Sequence, residues 1–446
     1  MTKTMTPEAM DALFRKILKP ALGCTEPVAV ALTTAAAVWA ARGWTPVPDA
    51  AAVANAANGL RSLRVRVSRN IFKNAFAILI PNADGHKGIV MSAALGAFCD
   101  PREGMALFAT LQPRQITQAE ALVSGGGVVV EIAEDAPSEL YIEVEATFEH
   151  GSGHAVVRDE HSKITLLRRD GEPTFGATEA ASEASVSPEM ESLKSLSLAE
   201  VLALVEQLPE SVLVLLRATV EMNLAACRAG LTKPMGLGTG YFGSVEEDGG
   251  FRQHMASLTA AGSDARMAGF PVEIMTSAGS GNQGIIATIP IVTWARAHKV
   301  SEDKMLRALA VSHLVTMYLT SYVGYLSALC GVAIKAGIGA SCGVVYAMGG
   351  GHDEAERAVK IMAATLTGMI CDGAKVGCAL KVSNASEMAV RAAELAMCKA
   401  EVPDDNGIVA PTAEKTIQNL AELGRSMESV DQKIIQIMLK KLVPAK

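Results

Sequence analysis

Aromatic residues make up only 4% of this 446-residue chain, although half of it is apolar. A core so short of rings has to be built from Ala, Val, Leu, Ile and Met, whose compact side chains suit closely packed helices. A basic excess is missing as well: 40 Lys and Arg stand against 47 Asp and Glu, a formal net charge of −7. That argues against nucleic acid as a partner, which wants a basic face. There is no Cys-x-x-Cys pair and no Cys/His finger spacing, so zinc is not signalled. The opening residues carry no apolar h-region and no small-residue cleavage site, so no secretory signal is read and a cytoplasmic location is expected. Long uncharged runs are scarce. The exception, 308–334, spans 27 residues without Asp, Glu, Lys or Arg, more than the roughly 20 that a membrane-spanning helix needs. It is interrupted by Ser312, His313, Thr316, Thr320, Ser321 and three tyrosines, which favours a buried helix and no membrane partner.

The pattern along the chain changes twice. Thr6 and Pro7 open a helix that Pro20 stops. A second helix runs over 27–42, with Thr25 as N-cap and Gly43 as its stop. From 58 to 169 the period shifts toward two: Leu63-Arg64-Val65-Arg66-Val67 alternates, and 76–80, 128–132, 140–147 and 164–167 read as strands. Helices are expected at 92–98 and 118–122, and 170–188 reads as a linker. Beyond it the character is helical, with starts at Ser197/Glu200, Asp353/Glu356 and Asn384/Glu387. The expected fold class is α+β. A mainly helical domain over 190–446, joined by the N-terminal helices of 1–45, carries a smaller α+β domain inserted over 46–175.

Eight cysteines in a reducing compartment are better explained by metal or catalysis than by disulfides. Cys99, Cys227 and Cys398 lie in apolar, helix-like runs with no second thiol nearby and read as small hydrophobes. Cys330, Cys371 and Cys378 occupy a glycine-rich stretch and suggest an iron–sulfur site. Three local thiolates on a cubane leave one iron open as a Lewis acid, whereas electron carriers close all four corners. On a continuous helix Cys371 and Cys378 would stand roughly 10 Å apart along the axis, so Gly373 and Gly377 are read as folding that segment into a tight loop. Cys24, in Gly23-Cys24-Thr25-Glu26-Pro27, precedes a helix N-terminus, where the dipole favours a thiolate; it is a base or a labile cluster ligand. Glu26 is a catalytic carboxylate or a favourable first-turn charge. The run Thr276-Ser277-Ala278-Gly279-Ser280-Gly281-Asn282-Gln283-Gly284 offers backbone N–H groups to an anion such as a substrate carboxylate. Thr25, Ser280, Gly281, Asn282 and Gln283 are therefore substrate-binding candidates. Its Ser-Gly-Asn core is also similar to the carboxylate loop of pyridoxal-phosphate enzymes. No lysine lies between Lys233 and Lys299, however, and the surroundings of Lys233 do not suit a Schiff base. His154 and His161 read as surface residues, and Lys73 and Asn74 stay undecided.

Together, the run around Cys24, the loop ending Gly279-Ser280-Gly281-Asn282-Gln283-Gly284 and the three late cysteines resemble the L-cysteine desulfidase family (UPF0597-like). That family is similar to the alpha part of iron–sulfur L-serine dehydratases, and the resemblance covers essentially the whole chain. It implies a [4Fe-4S] cluster on Cys330, Cys371 and Cys378, with Cys24 at the active site. It implies α,β-elimination of L-cysteine, a small amino-acid substrate, to pyruvate, ammonia and hydrogen sulfide; a homo-oligomer is allowed. Two departures from the dehydratase side stand out. Asp372 is followed by Gly373 where that side has Cys-Asp-Pro, and the sequence closes with Pro444-Ala445-Lys446 rather than a cysteine, so any fourth-ligand role is expected to fall to Cys24. L-Serine dehydration by the same chemistry is the alternative. A non-catalytic iron–sulfur redox protein, which needs four thiolates and no substrate loop, is the other.

Overall fold

The computed structural model describes residues 5–43, 55–176, 188–245 and 250–441. Thr6 accepts a hydrogen bond from Ala9 N at 3.2 Å, and Pro7 opens helix α1 (Pro7–Ile17). A short strand, β1 (Pro20–Leu22), follows it. Helix α2 (Thr25–Arg42) has Cys24, not Thr25, at its N-cap. The Thr25 hydroxyl is turned to Glu26 Oε2 at 3.1 Å instead, so Thr25 enters the first turn. Gly43 ends the helix at a φ of 67°.

Next come β2 (Leu60–Val67), α3 (Arg69–Ala75), α4 (Ile89–Gly96), α5 (Pro113–Ser124), β3 (Val128–Ile132), β4 (Tyr141–Phe148), β5 (Ser152–Arg158), β6 (Ile164–Arg169) and β7 (Glu172–Phe175). The strands form one sheet in the order β3-β2-β4-β5-β6-β7. Strands β2 and β3 run parallel and the other neighbours antiparallel. The alternation of β2 explains its placement: Leu63, Val65 and Val67 are buried, while Arg64 and Arg66 turn outward to Glu131 and Glu143 on neighbouring strands. The run 76–80 forms no strand. Phe76 instead caps the end of α3, and Leu79 makes one isolated bridge to Lys87. Part of the expected linker is strand β7, and 177–187 lie outside the described residues.

The remainder is helical: α6 (Pro188–Lys194), α7 (Leu198–Ala203), α8 (Glu210–Leu231), α9 (Thr239–Ser244) and α10 (Phe251–Met267), then strand β8 (Glu273–Met275). After it come α11 (Gly281–Ala297), α12 (Glu302–Val323), a π-helical turn (Val332–Gly337), α13 (Ile338–Met348), α14 (His352–Leu366), α15 (Cys378–Met397), α16 (Ala413–Ser426) and α17 (Glu428–Lys440). Ser197 and Glu200 form the expected capping box. Two starts differ from expectation. The Glu354 carboxylate accepts from Gly351 N at 2.9 Å, which places the α14 start before Asp353, and α15 begins at Cys378, ahead of Asn384. The uncharged run breaks at Gly324, after α12. Among the described residues no helix is long and apolar enough to cross a membrane.

Helix α1 contributes Leu13, Phe14 and Ile17 to the helical core. Helix α2, expected to join the same core, lies across the sheet, where Val30, Ala37 and Val38 pack with Leu63, Val65 and Val144. Its other side meets Leu95 and Phe108. Nearly every α2 side chain is buried, so no single apolar stripe tells which layer it will join. Cys398, read as a packing residue, is exposed.

Candidate active site

Strand β1 pairs antiparallel with β8, Pro20 opposite Met275 and Leu22 opposite Glu273. That short ladder carries the run around Cys24 to the glycine-rich loop that begins at Thr276. Thr276 N donates to Lys19 O at 2.9 Å and Ala278 N to Ile17 O at 3.1 Å. Gly23 turns the chain out of β1 at a φ of 78°, and a Cβ there would come within 2.6 Å of Pro81. Ser280 caps α11 by accepting from Gln283 N, so the first turn of this buried helix offers its N–H groups to the space in front of it.

The cysteines arrive by a separate route. Cys330 N donates to Met369 O at 2.8 Å and Cys371 N to Ala328 O at 2.7 Å, around the bridge Leu329↔Ile370. One rung of antiparallel pairing thus brings both cysteines to the same cavity wall, Cys330 opposite Met369 and Cys371 opposite Ala328. From Cys371 the chain loops to Cys378, the first residue of α15, whose Sγ lies 3.7 Å from Gly373 O. Gly373 has a φ of 92°, and its Cα lies so close to α3 that a Cβ would be 2.4 Å from Lys73 O. Asp372 accepts from Lys375 and Lys381, which hold its carboxyl down at about 2 despite burial.

One cavity receives both sets. It is open to solvent, leaves about 90 Å³ for water-sized occupants, and is lined by Glu26, Ser280, Asn282, Gln283, Cys330, Cys371 and Cys378. Gly281, between Ser280 and Asn282, is buried and does not line it. Thr25 borders the neighbouring smaller cleft, which shares His161, Gly279 and Tyr325 with the main cavity. Glu26 is 9% exposed; its Oε1 accepts from Asn74 Nδ2 at 2.9 Å. Asn74 Oδ1 in turn faces Cys371 Sγ at 3.9 Å.

Cys24 stands apart. It packs with Ile78 and Met267 and against Ala374, Val376 and Cys378, and does not line the cavity. Burial pushes its thiol up to about 12, outweighing the lowering by Arg266. The thiolate expected at a helix N-terminus is therefore not what these surroundings favour, because desolvation exceeds the dipole's pull.

Sequence reasoning missed four residues of this wall. Arg266, in the last turn of α10, donates from Nε to Gly23 O at 3.1 Å and fills the space beside Gly281. Lys335 and Lys381 line the same cavity. His161, read as a surface residue, is only 8% exposed and lines it too. Burial lowers its pKa. His154 is half-buried on the sheet instead, 2.9 Å from Glu143. Asn282 Oδ1, Gln283 Oε1 and His161 Nε2 are buried without a hydrogen-bond partner in the protein, and such atoms call for a ligand.

The donor set can be tested against the implied cluster. All eight cysteines are free. Burial, together with the nearby thiols Cys371 and Cys378, pushes the Cys330 thiol up to about 12, so only a metal displacing the protons would keep this group ionised. Among the described residues no three His, Cys, Asp or Glu side chains close on a single ion. Three thiols lining one cavity are soft donors of the kind a cluster takes, and Lys335 and Lys381 on the same wall would offset the negative charge that three thiolates bring. The residues present fit the group.

An α+β chain whose thiols share a cavity with the N-terminus of a buried helix is a recognisable class of molecule. The profile described as "Serine dehydratase alpha chain" matches residues 156–436. A UPF0597 protein of Desulfatibacillum aliphaticivorans is 37% identical over 438 residues, 95% of this chain and 96% of the relative. Another from Alkaliphilus metalliredigens is 35% identical over 430 residues, 94% and 92% of the two chains. A third, from Geobacter sulfurreducens, is 37% identical over 434 residues, 95% and 96%. The chain belongs to the serine dehydratase alpha-chain family and, within it, to the UPF0597 proteins.

Proposed function

We propose that this chain is an iron–sulfur lyase that converts L-cysteine to pyruvate, ammonia and hydrogen sulfide by α,β-elimination in the cytoplasm. The observation that carries the reading is the single cavity shared by Cys330, Cys371, Cys378, Glu26 and the first turn of α11. A [4Fe-4S] cluster on those three thiols, when bound, supplies an iron with an open position that acts as a Lewis acid toward the β-substituent.

The chain's own residues do the rest. The N–H groups at the start of α11, with Arg266 beneath them, receive the substrate carboxylate. The unpartnered acceptors Asn282 Oδ1 and Gln283 Oε1 face the substrate ammonium. Glu26, held by Asn74 and Thr25, takes the α-proton. Cys24 is the spare thiol behind Cys378 rather than the base. Release of the β-substituent leaves aminoacrylate, which hydrolyses to pyruvate and ammonia in water.

L-Serine dehydration is the second reading, favoured by the description of the matching family. Protein purified without oxygen is assayed for pyruvate and sulfide. Release of both from L-cysteine, with a higher kcat/KM than pyruvate from L-serine, supports the first reading; the reverse order supports the second. An iron-free protein with full activity contradicts both.

A further inference from the structure

Lys335, set beside the thiols as a counter-charge, is given no part in the elimination itself by the reading above. It lies in the π-helical turn after Cys330 and is 1% exposed; such turns recur at functional sites. Nζ donates to Gly324 O and Tyr325 O, each at 2.9 Å. An ammonium has three donors, so two carbonyls fix the head and leave one N–H over. The titratable groups beside it are the thiols of Cys371 and Cys330 rather than any carboxylate. A buried cation in that position is costly unless an anion meets it.

The surroundings say which anion. A Cβ on Gly331 would come within 2.7 Å of Lys335 Cε and 2.9 Å of Gln283 Nε2, so glycine there lets both side chains close over the backbone beside Cys330. The carboxylate end of an amino acid is already met by the start of α11 and Arg266. Its β end is then left to the other lining residues, Cys330, Cys371 and Lys335 among them.

We propose that Lys335 is a catalytic residue whose free N–H meets the β-substituent and stabilises the negative charge it gains as it leaves. This rests on the β-elimination reading. In that step the Cα–H proton passes to Glu26 and the Cα–H electron pair becomes the Cα=Cβ bond. The Cβ–S or Cβ–O pair departs with sulfur or oxygen, whose charge the ammonium offsets. No oxidant or reductant is consumed.

The test compares wild type, Lys335→Met and Lys335→Arg on β-chloro-L-alanine, L-cysteine and L-serine under argon, with iron and sulfide content measured for each. Leaving-group basicity rises from chloride to hydroxide. Lys335→Met, which keeps the stem's volume, is expected to lose about 10²-fold more in kcat on serine than on chloroalanine, cysteine lying between, and Lys335→Arg to recover part of it. Equilibrium binding gives a second readout: 3-mercaptopropionate binds the Met variant more weakly than wild type, while propionate binds both alike. Equal losses on all three substrates, or a Met variant that sheds its iron, overturn the role of Lys335. A wild type inert on all three substrates overturns the β-elimination reading, and this inference with it.

Discussion

Glu26 and Cys24 are two positions apart, yet the fold gives them opposite surroundings. Glu26 faces the cavity and is held by Asn74 and Thr25; Cys24 is sealed against Met267 and Cys378. Glu26→Gln keeps the size and the bond accepted from Asn74 but cannot accept a proton. It is expected to retain its iron and to lose about 10²- to 10⁴-fold in kcat with little change in KM; full turnover in that variant would remove Glu26 from the chemistry. Cys24→Ser should also retain iron and cost far less. Cys330→Ser and Cys378→Ser should lose iron and activity together, because an alcohol replaces a soft thiolate. The residue types that need the folded chain to be recognised are the ones with no local signal. Arg266 is one charge in an otherwise ordinary helix, and only the β1–β8 ladder brings Gly23 O to it. Lone histidines such as His161 carry no sign of burial in the sequence.

Among the elements, the loop from Cys371 to Cys378 depends on its contact with α3. A methyl at Gly373 would strike Lys73 O in a backbone conformation that L side chains rarely adopt. Gly373→Ala is expected to lower iron occupancy well before it lowers the melting temperature; equal iron content in variant and wild type would show that the loop tolerates the shift. The loop itself was legible, since a helix would hold its two thiols too far apart, as was the glycine-rich turn before α11. Helix α3, which delivers Asn74, was not. Seven residues, Arg69-Asn70-Ile71-Phe72-Lys73-Asn74-Ala75, are too few to show a period, and the apolar run 76–80 beside them imitates a strand. The start of α15 was misplaced because Gly377 and Lys375 read as loop, while the cap expected at Asn384 lies inside the helix.

At the scale of the molecule, α17 is tied to the sheet side of the cavity by one buried ion pair, Lys73 Nζ to Asp431 Oδ1 at 2.5 Å, with the lysine side chain fully buried. Removing one partner strands the other, so Asp431→Asn is expected to cost about 3–5 kcal/mol in urea denaturation. A cost below 1 kcal/mol would mean that Lys73 finds another partner. His313 sets a pH dependence. It is wholly buried between Ser277 Oγ at 2.9 Å and Thr288 Oγ1 at 3.4 Å, and burial lowers its pKa from 6.5 to about 3. The unfolded chain takes up a proton below pH 6.5 that the folded chain refuses. Stability is therefore undiminished above that pH and falls between 6.5 and 3, by up to about 1.4 kcal/mol per unit. His313→Gln should narrow its gap to wild type on going from pH 7.5 to pH 5; an unchanged gap would contradict the assignment. The placement of α2 was the main architectural feature hidden from the sequence, since a helix apolar on every side fits either layer.

The central claim is that three thiols hold a cluster whose cavity receives the amino acid. Its most direct test is the electron-resonance or Mössbauer spectrum of the anaerobic protein before and after L-cysteine or L-serine is added, with Cys371→Ser as control. A cluster signal in wild type that shifts on addition of substrate, and is missing from Cys371→Ser, is the predicted result. A signal that ignores both amino acids, or persists at full intensity in Cys371→Ser, would contradict it.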